Sequence, residues 1–186
     1  PFLPLKITLS IRGGQGMDFT VEKMEGFQLI GVERGASPET SYQELPKFWD
    51  EFISAHCKPM WAGKSPETAL EKAVCECNIG EFGVCIDDGS LPGRFRYLIA
   101  GKYDGREVPE GLTVVTLPAM EWARFRCSGP MPEALQSVNT KIFQEWLPGN
   151  PEFEIAYGAN IEWYSMEKDT SAADYESEIW LPVRRK

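Results

Sequence analysis

Histidine is almost absent from this chain: one residue, His56, in 186. That scarcity excludes Ser-His-Asp, Cys-His and multi-histidine metal mechanisms unless His56 itself is the base, and leaves haem a single imidazole. His56 falls at the expected end of a helix, where a capping or dipole role suits it better. Cys75 and Cys77 form a C-x-C rather than a C-x-x-C, and no second pair completes a zinc site. Neither GxxxxGK[ST] nor GxGxxG occurs, and "RGGQG" at 12–16 lacks the helix that should follow a phosphate loop. No metal or cofactor is expected.

Basic charge is also scarce. Nineteen Lys and Arg against 28 Asp and Glu give a net charge of −9, and the longest basic run is the terminal Arg184, Arg185, Lys186. Such a chain is a poor nucleic-acid surface, so any DNA contact belongs to a separate domain outside it. No apolar run approaches the ~20 residues of a membrane span, and the amino terminus lacks a signal-peptide pattern. Five cysteines, an odd count, read as free thiols in a reducing compartment. The expectation is a cytoplasmic protein with no membrane partner, and the oligomeric state is left open.

What is present suits a globular domain with a substantial core: 42% of the residues are hydrophobic and 12% aromatic. "MDFTVEKMEGFQLIGVERGAS" reads as a first strand bent or broken at Gly26. From Tyr42 to about His56, Leu45, Phe48, Trp49, Phe52 and Ile53 form one stripe of an amphipathic helix. A short helix is expected near Pro66 to Val74, with Ser65 as its cap. "EFGVCIDD" and "RFRYLIAGKYDG" make a hairpin across "GSLPG". "LTVVTLPAMEWARFRCSG" supplies two more strands, and Leu135, Val138, Ile142 and Trp146 mark a second helix stopped by Pro148 and Gly149. "FEIAYGANIEWYSME" and "YESEIWLPVRR" close with another hairpin.

Strand, helix, strand, strand therefore occurs twice. The fold class expected is α+β, with duplicated modules of about 17–115 and 116–186 after a junction at 1–16. An antiparallel sheet would carry both main helices on one face and leave a ligand cleft on the other.

The last strand places Glu176, Glu178 and Trp180 on one side and Tyr175, Ser177, Ile179 and Leu181 on the other. If Ile161 and Trp163 pack on the helix with Ile179 and Leu181, then Glu162, Tyr164, Glu178 and Trp180 share the cleft face. Carboxylates beside aromatic rings can pair with a cation that also gains from the ring quadrupoles. They can equally serve as an acid or base of raised pKa.

"FRYLIAG", "FQEWLPGNPEFE", "IEWY" and "YESEIWLPVRR", in this order and spacing, resemble the GyrI-like small-molecule-binding domain. That domain forms the effector-binding part of some AraC-type transcription regulators and also occurs as a standalone protein. The resemblance spans about Met17 to Arg185 and implies two modules with a ligand cleft between them. It also implies an acidic anchor in the second module, matched by Glu178 first and Glu162 second, for cationic or polar-aromatic ligands. Tyr97, Tyr164 and Trp180 would form the aromatic walls, with Trp61 added from its loop. "LKITLSIRGGQGMDFTVEKMEGFQLIGV" resembles the junction that follows a helix-turn-helix pair in such regulators. Relatives that open strained cyclopropane rings use paired glutamates and a tyrosine, for which Glu162, Glu178 and Tyr97 are the matching set. A drug-sequestering module is the third reading.

Overall fold

A computed structural model describes residues 17–186; the junction expected at 1–16 lies outside the described residues. The fold is mixed α+β with antiparallel sheet, and the chain divides into two compact units. One is Gln28–Thr116; the other joins the described residues up to Phe27 with Leu117–Lys186.

The first unit contains β2 (Phe27–Ala36), whose initial residue precedes the division, and β3 (Phe82–Ile86), β4 (Phe95–Lys102) and β5 (Thr113–Leu117), ordered β3-β4-β2-β5. Helix α1 (Ser41–Phe52) lays Phe48 and Phe52 on this sheet, in a core with Ile30, Tyr97 and Ile99. The helix does not stop at His56. A π turn over Ile53–Cys57 carries it on into α2 (Lys58–Trp61), with the Lys58 N–H donating to the Ile53 carbonyl five residues back. His56 thus lies inside a continuing helix, its ring 5.4 Å from that of Phe52, and the terminal role expected of it does not apply. The following short helix, α3 (Ala69–Glu76), is capped by Thr68 rather than Ser65. The Thr68 side chain accepts from the Glu71 N–H while the Glu71 carboxylate accepts from the Thr68 N–H, a reciprocal box that fixes the start three residues later.

The second unit repeats the plan. β6 (Met120–Ser128) leads into α4 (Glu133–Lys141), and the hairpin of β8 (Ala159–Tyr164) and β9 (Glu176–Arg185) follows. Its order is β1-β6-β9-β8, with short β7 (Phe153–Ile155) also pairing β9. Helix α4 too ends in a π turn, Ile142–Trp146, closed by the Leu147 N–H on the Ile142 carbonyl at 2.8 Å. The core combines Leu135, Ile142 and Trp146 from the helical segment with Phe125, Ile179 and Leu181 from the sheet.

The break expected at Gly26 is real, and it sends the two halves of the first strand in different directions. β1 (Phe19–Met24) pairs with β6, whereas β2 pairs with β4 and β5. In each unit the fourth strand is the segment that precedes the other unit's first strand. One compact unit is consequently built from two stretches of sequence, while the other, Gln28–Thr116, is continuous.

Gly101 on β4 permits one close approach inside the first unit. A Cβ there would overlap the Cys77 carbonyl after α3, and backbone cannot yield as a side chain tip can. Gly101→Ala is expected to lower unfolding stability by about 1–3 kcal/mol, measured by urea denaturation.

Candidate functional site

The second unit's sheet carries a charged and aromatic cluster on the face away from α4. β6 and β9 pair with Arg124 opposite Trp180 and Trp122 opposite Pro182, and β1 places Glu22 opposite Trp122. Directly paired residues project to the same face, so Glu22, Trp122, Arg124, Glu178 and Trp180 emerge together. Arg124 bridges two carboxylates: Nη2 lies 2.7 Å and Nε 2.9 Å from Glu178 Oε2, and Nη1 lies 3.0 Å from Glu22. Trp180 Nε1 also donates to Glu178 Oε2 at 2.6 Å. The guanidinium carbon sits 4.4 Å from the centre of the Trp180 ring, which meets Trp122 edge to face at 6.3 Å. Glu178 retains 15% side-chain exposure and Arg124 27%, so the pair is mostly removed from water. Trp122 is fully buried, and its indole N–H lacks an acceptor among the described residues.

Glu178 and Trp180 therefore share a face opposite the helix-packed Ile179 and Leu181, as the alternation of β9 requires. Glu162 and Tyr164 do not join them. β8 pairs Ile161 with Trp180, Trp163 with Glu178, Glu162 with Ile179 and Tyr164 with Ser177. Ile161 and Trp163 thus share the Glu178 face, while Glu162 and Tyr164 project toward α4. The expected faces of β8 are reversed, a one-residue matter of register. Tyr164 packs against the helix-side core and its hydroxyl donates to the Glu162 carboxylate. In the other unit, Tyr97 is buried under α1, its hydroxyl accepting from Trp49 Nε1 at 2.9 Å; it is a core residue of that unit. Trp61 ends α2 at 73% exposure. The acid, base and tyrosine set imagined from Glu178, Glu162 and Tyr97 is not assembled, because the two glutamates leave the sheet on opposite sides.

Sequence reasoning missed Glu22, Arg124 and Trp122. A signal existed: in "MEWARFRCS" the alternation places Trp122, Arg124 and Arg126 together against the apolar Ala123, Phe125 and Cys127. A depression in the other unit is lined by Arg34, Glu51 and His56 among apolar side chains. Arg34 is paired with Glu51 at 2.8 Å and covers the Phe48 ring.

A family model described as an integron-associated effector binding protein matches residues 20–183. The chain belongs to that family. Its structure also matches SAV2435 bound to tetraphenylphosphonium at 19% identity and a TM-score of 0.70, covering 90% of this chain and 94% of that one. A protein from Staphylococcus aureus MU50 with an inferred role in bacterial transcription regulation matches at 21% identity and a TM-score of 0.65, over 91% of this chain and 99% of that one. An integron cassette protein from the mobile metagenome of Vibrio cholerae matches at 14% identity and a TM-score of 0.61, over 89% and 95%. No curated protein sequence matches the chain. The GyrI-like resemblance is thereby established at the level of fold. Among the described residues, no helix is long and apolar enough to cross a membrane, and no group of three or more His, Cys, Asp and Glu could hold a metal ion.

In this family member the helix side of the second unit has its own polar groups. Burial raises the Glu162 carboxyl above its ordinary 4.5, against the opposing effect of the Tyr164 hydroxyl. The folded chain therefore holds the Glu162 proton more tightly than the unfolded chain does. The stability from this group is complete below about pH 4.5 and is lost as pH rises through the raised folded value. Glu162→Gln, which cannot ionise, is expected to gain stability over the native chain progressively across that window, as read by paired urea denaturations between pH 4 and 8. A difference that does not change with pH would refute the assignment. Nearby Cys127 is pushed up to about 11, chiefly by burial and further by the charges of Glu178 and Glu162, against a lowering contact with Ser177. At pH 8 a maleimide is expected to label exposed Cys75 well before buried Cys77 and Cys127.

Proposed function

We propose that this chain is the small-molecule effector-binding domain of a bacterial transcription regulator, taking lipophilic cationic or aromatic ligands on the Glu178 face of its second unit. The observation that carries the reading is the Glu178 carboxylate itself, mostly buried and accepting from the indole of Trp180, whose ring meets Trp122. A carboxylate held in low dielectric next to aromatic faces recognises a delocalised cation doubly, through charge and through the ring quadrupoles. The tetraphenylphosphonium bound by SAV2435 is a cation of that class, and the family's description as effector-binding agrees with it. DNA would be contacted by a separate domain, in keeping with a net charge of −9. Ligand binding would act by favouring one of two arrangements of the complete regulator.

Thermal unfolding with tetraphenylphosphonium and with neutral triphenylphosphine oxide tests this reading. At about 100 times its dissociation constant the cation should add about 2.7 kcal/mol. For a chain of this size that raises Tm by roughly 5–10 °C. Equal stabilisation by both compounds, or by neither, would remove the basis for a cation-selective site.

A further inference from the structure

Resting on that reading, we propose that Arg124 is a resident counter-cation which a ligand's cation displaces from Glu178, and that Glu22 is the carboxylate that keeps hold of it during the exchange. The guanidinium already makes both interactions a lipophilic cation would seek. It is 2.7 Å from the Glu178 carboxylate and 4.4 Å from the centre of the Trp180 ring. An empty site of this kind would leave a mostly buried carboxylate without a counter-charge, which is costly. Arg124 removes that cost by occupying the site.

Glu22 makes the arrangement reversible. The cluster holds two carboxylates and one guanidinium, a formal charge of −1, so an arriving cation brings it to neutrality. Arg124 already touches Glu22 at 3.0 Å through Nη1, while Nη2 and Nε face Glu178. The fork of the guanidinium allows one carboxylate to be released while the other is kept. Charged arginine is therefore never stranded. Its presence also sets selectivity: a ligand must outcompete an internal cation, so weak or purely hydrophobic ligands gain nothing from Glu178, and the observed affinity is reduced by the cost of the exchange.

The test is a titration calorimetry cycle with tetraphenylphosphonium on the native chain, Arg124→Gln, Glu22→Gln and the double variant, each first checked for a cooperative unfolding transition. Arg124→Gln is expected to tighten cation binding at least about tenfold, the lower end of what close charge pairs contribute at an interface. Triphenylphosphine oxide affinity should not follow. Glu22→Gln, which leaves the Arg124 to Glu178 pair intact, is expected to weaken cation binding by a similar factor. That weakening should vanish when Arg124 is also replaced, since there is then no guanidinium to receive. Unchanged or weaker cation binding by Arg124→Gln overturns the exchange while leaving the cation reading standing. A Glu22→Gln effect of equal size in both backgrounds also overturns it, because Glu22 would then act on the ligand directly. Should no variant and not the native chain bind the cation, the reading of the site falls and the exchange with it.

Discussion

Glu178→Gln is expected to reduce affinity for tetraphenylphosphonium by about 30-fold to more than a thousandfold, corresponding to the 2–5 kcal/mol typical of truncating one partner of a desolvated charge pair. The substitution keeps the side chain's size and an oxygen that can still accept from the Trp180 indole, so packing changes little. What it removes is the negative charge. Arg124 keeps Glu22 at 3.0 Å and is not left unpaired, so the loss of folding stability should be modest, about 1–2 kcal/mol. The separation of the two effects is the informative part: a large change in cation affinity, a small change in unfolding, and neutral-aromatic affinity within a few-fold of native. Calorimetric titration and urea denaturation on the same preparations measure all three. Retained cation affinity in the Gln variant would show that Glu178 is not the anchor.

Trp146→Ala is expected to cost about 3–5 kcal/mol of folding stability. Trp146 closes the π turn after α4 and is 7% exposed. Its ring stands edge-on to Phe125 at 4.9 Å, stacks with Phe153 at 6.1 Å and meets Phe19 at 5.4 Å. Those partners belong to β6, β7 and β1, so one indole ties the helical segment to three strands. Deleting it removes aromatic contacts and opens a cavity that the surrounding rings cannot close without leaving their own packing. A fall in Tm of roughly 10 °C or more is the expected scale for a chain of this length. Phe143, in the same π turn but 45% exposed, provides the contrast: Phe143→Ala should cost about 1 kcal/mol or less. Similar losses from the two substitutions would show that the π turn does not anchor the unit through Trp146.

Much of the fold was legible in the residues. Leu45, Phe48, Trp49, Phe52 and Ile53, and again Leu135, Val138, Ile142 and Trp146, announce the two helices because a 3.6-residue period leaves one apolar stripe. Turn chemistry at "GSLPG" locates the first hairpin. The π turns were not legible, since shifting a hydrogen bond from four residues back to five leaves no fixed sequence mark. The exit of β1 to pair with β6 was hidden as well. Gly26 signals a break but says nothing about where either half finds its partner.

The candidate site divides along the same line. Alternation in "ESEIWLPV" by itself determines that Glu178 and Trp180 share a face opposite Ile179 and Leu181, because one face of that strand is apolar enough to define the core. In "NIEWY" the apolar pair Ile161 and Trp163 reads as the helix face and Asn160, Glu162 and Tyr164 as the other, the opposite of the arrangement the structure adopts. Register against β9 decides it, sending Glu162 and Tyr164 toward α4 and Trp163 toward Glu178. Tertiary structure alone also pairs Glu22 with Arg124, 102 residues apart in the chain, and sets that guanidinium on the Glu178 carboxylate and the Trp180 ring. Local sequence encodes faces through the period of each strand; only long-range pairing chooses which faces meet, and with them which charges confront each other.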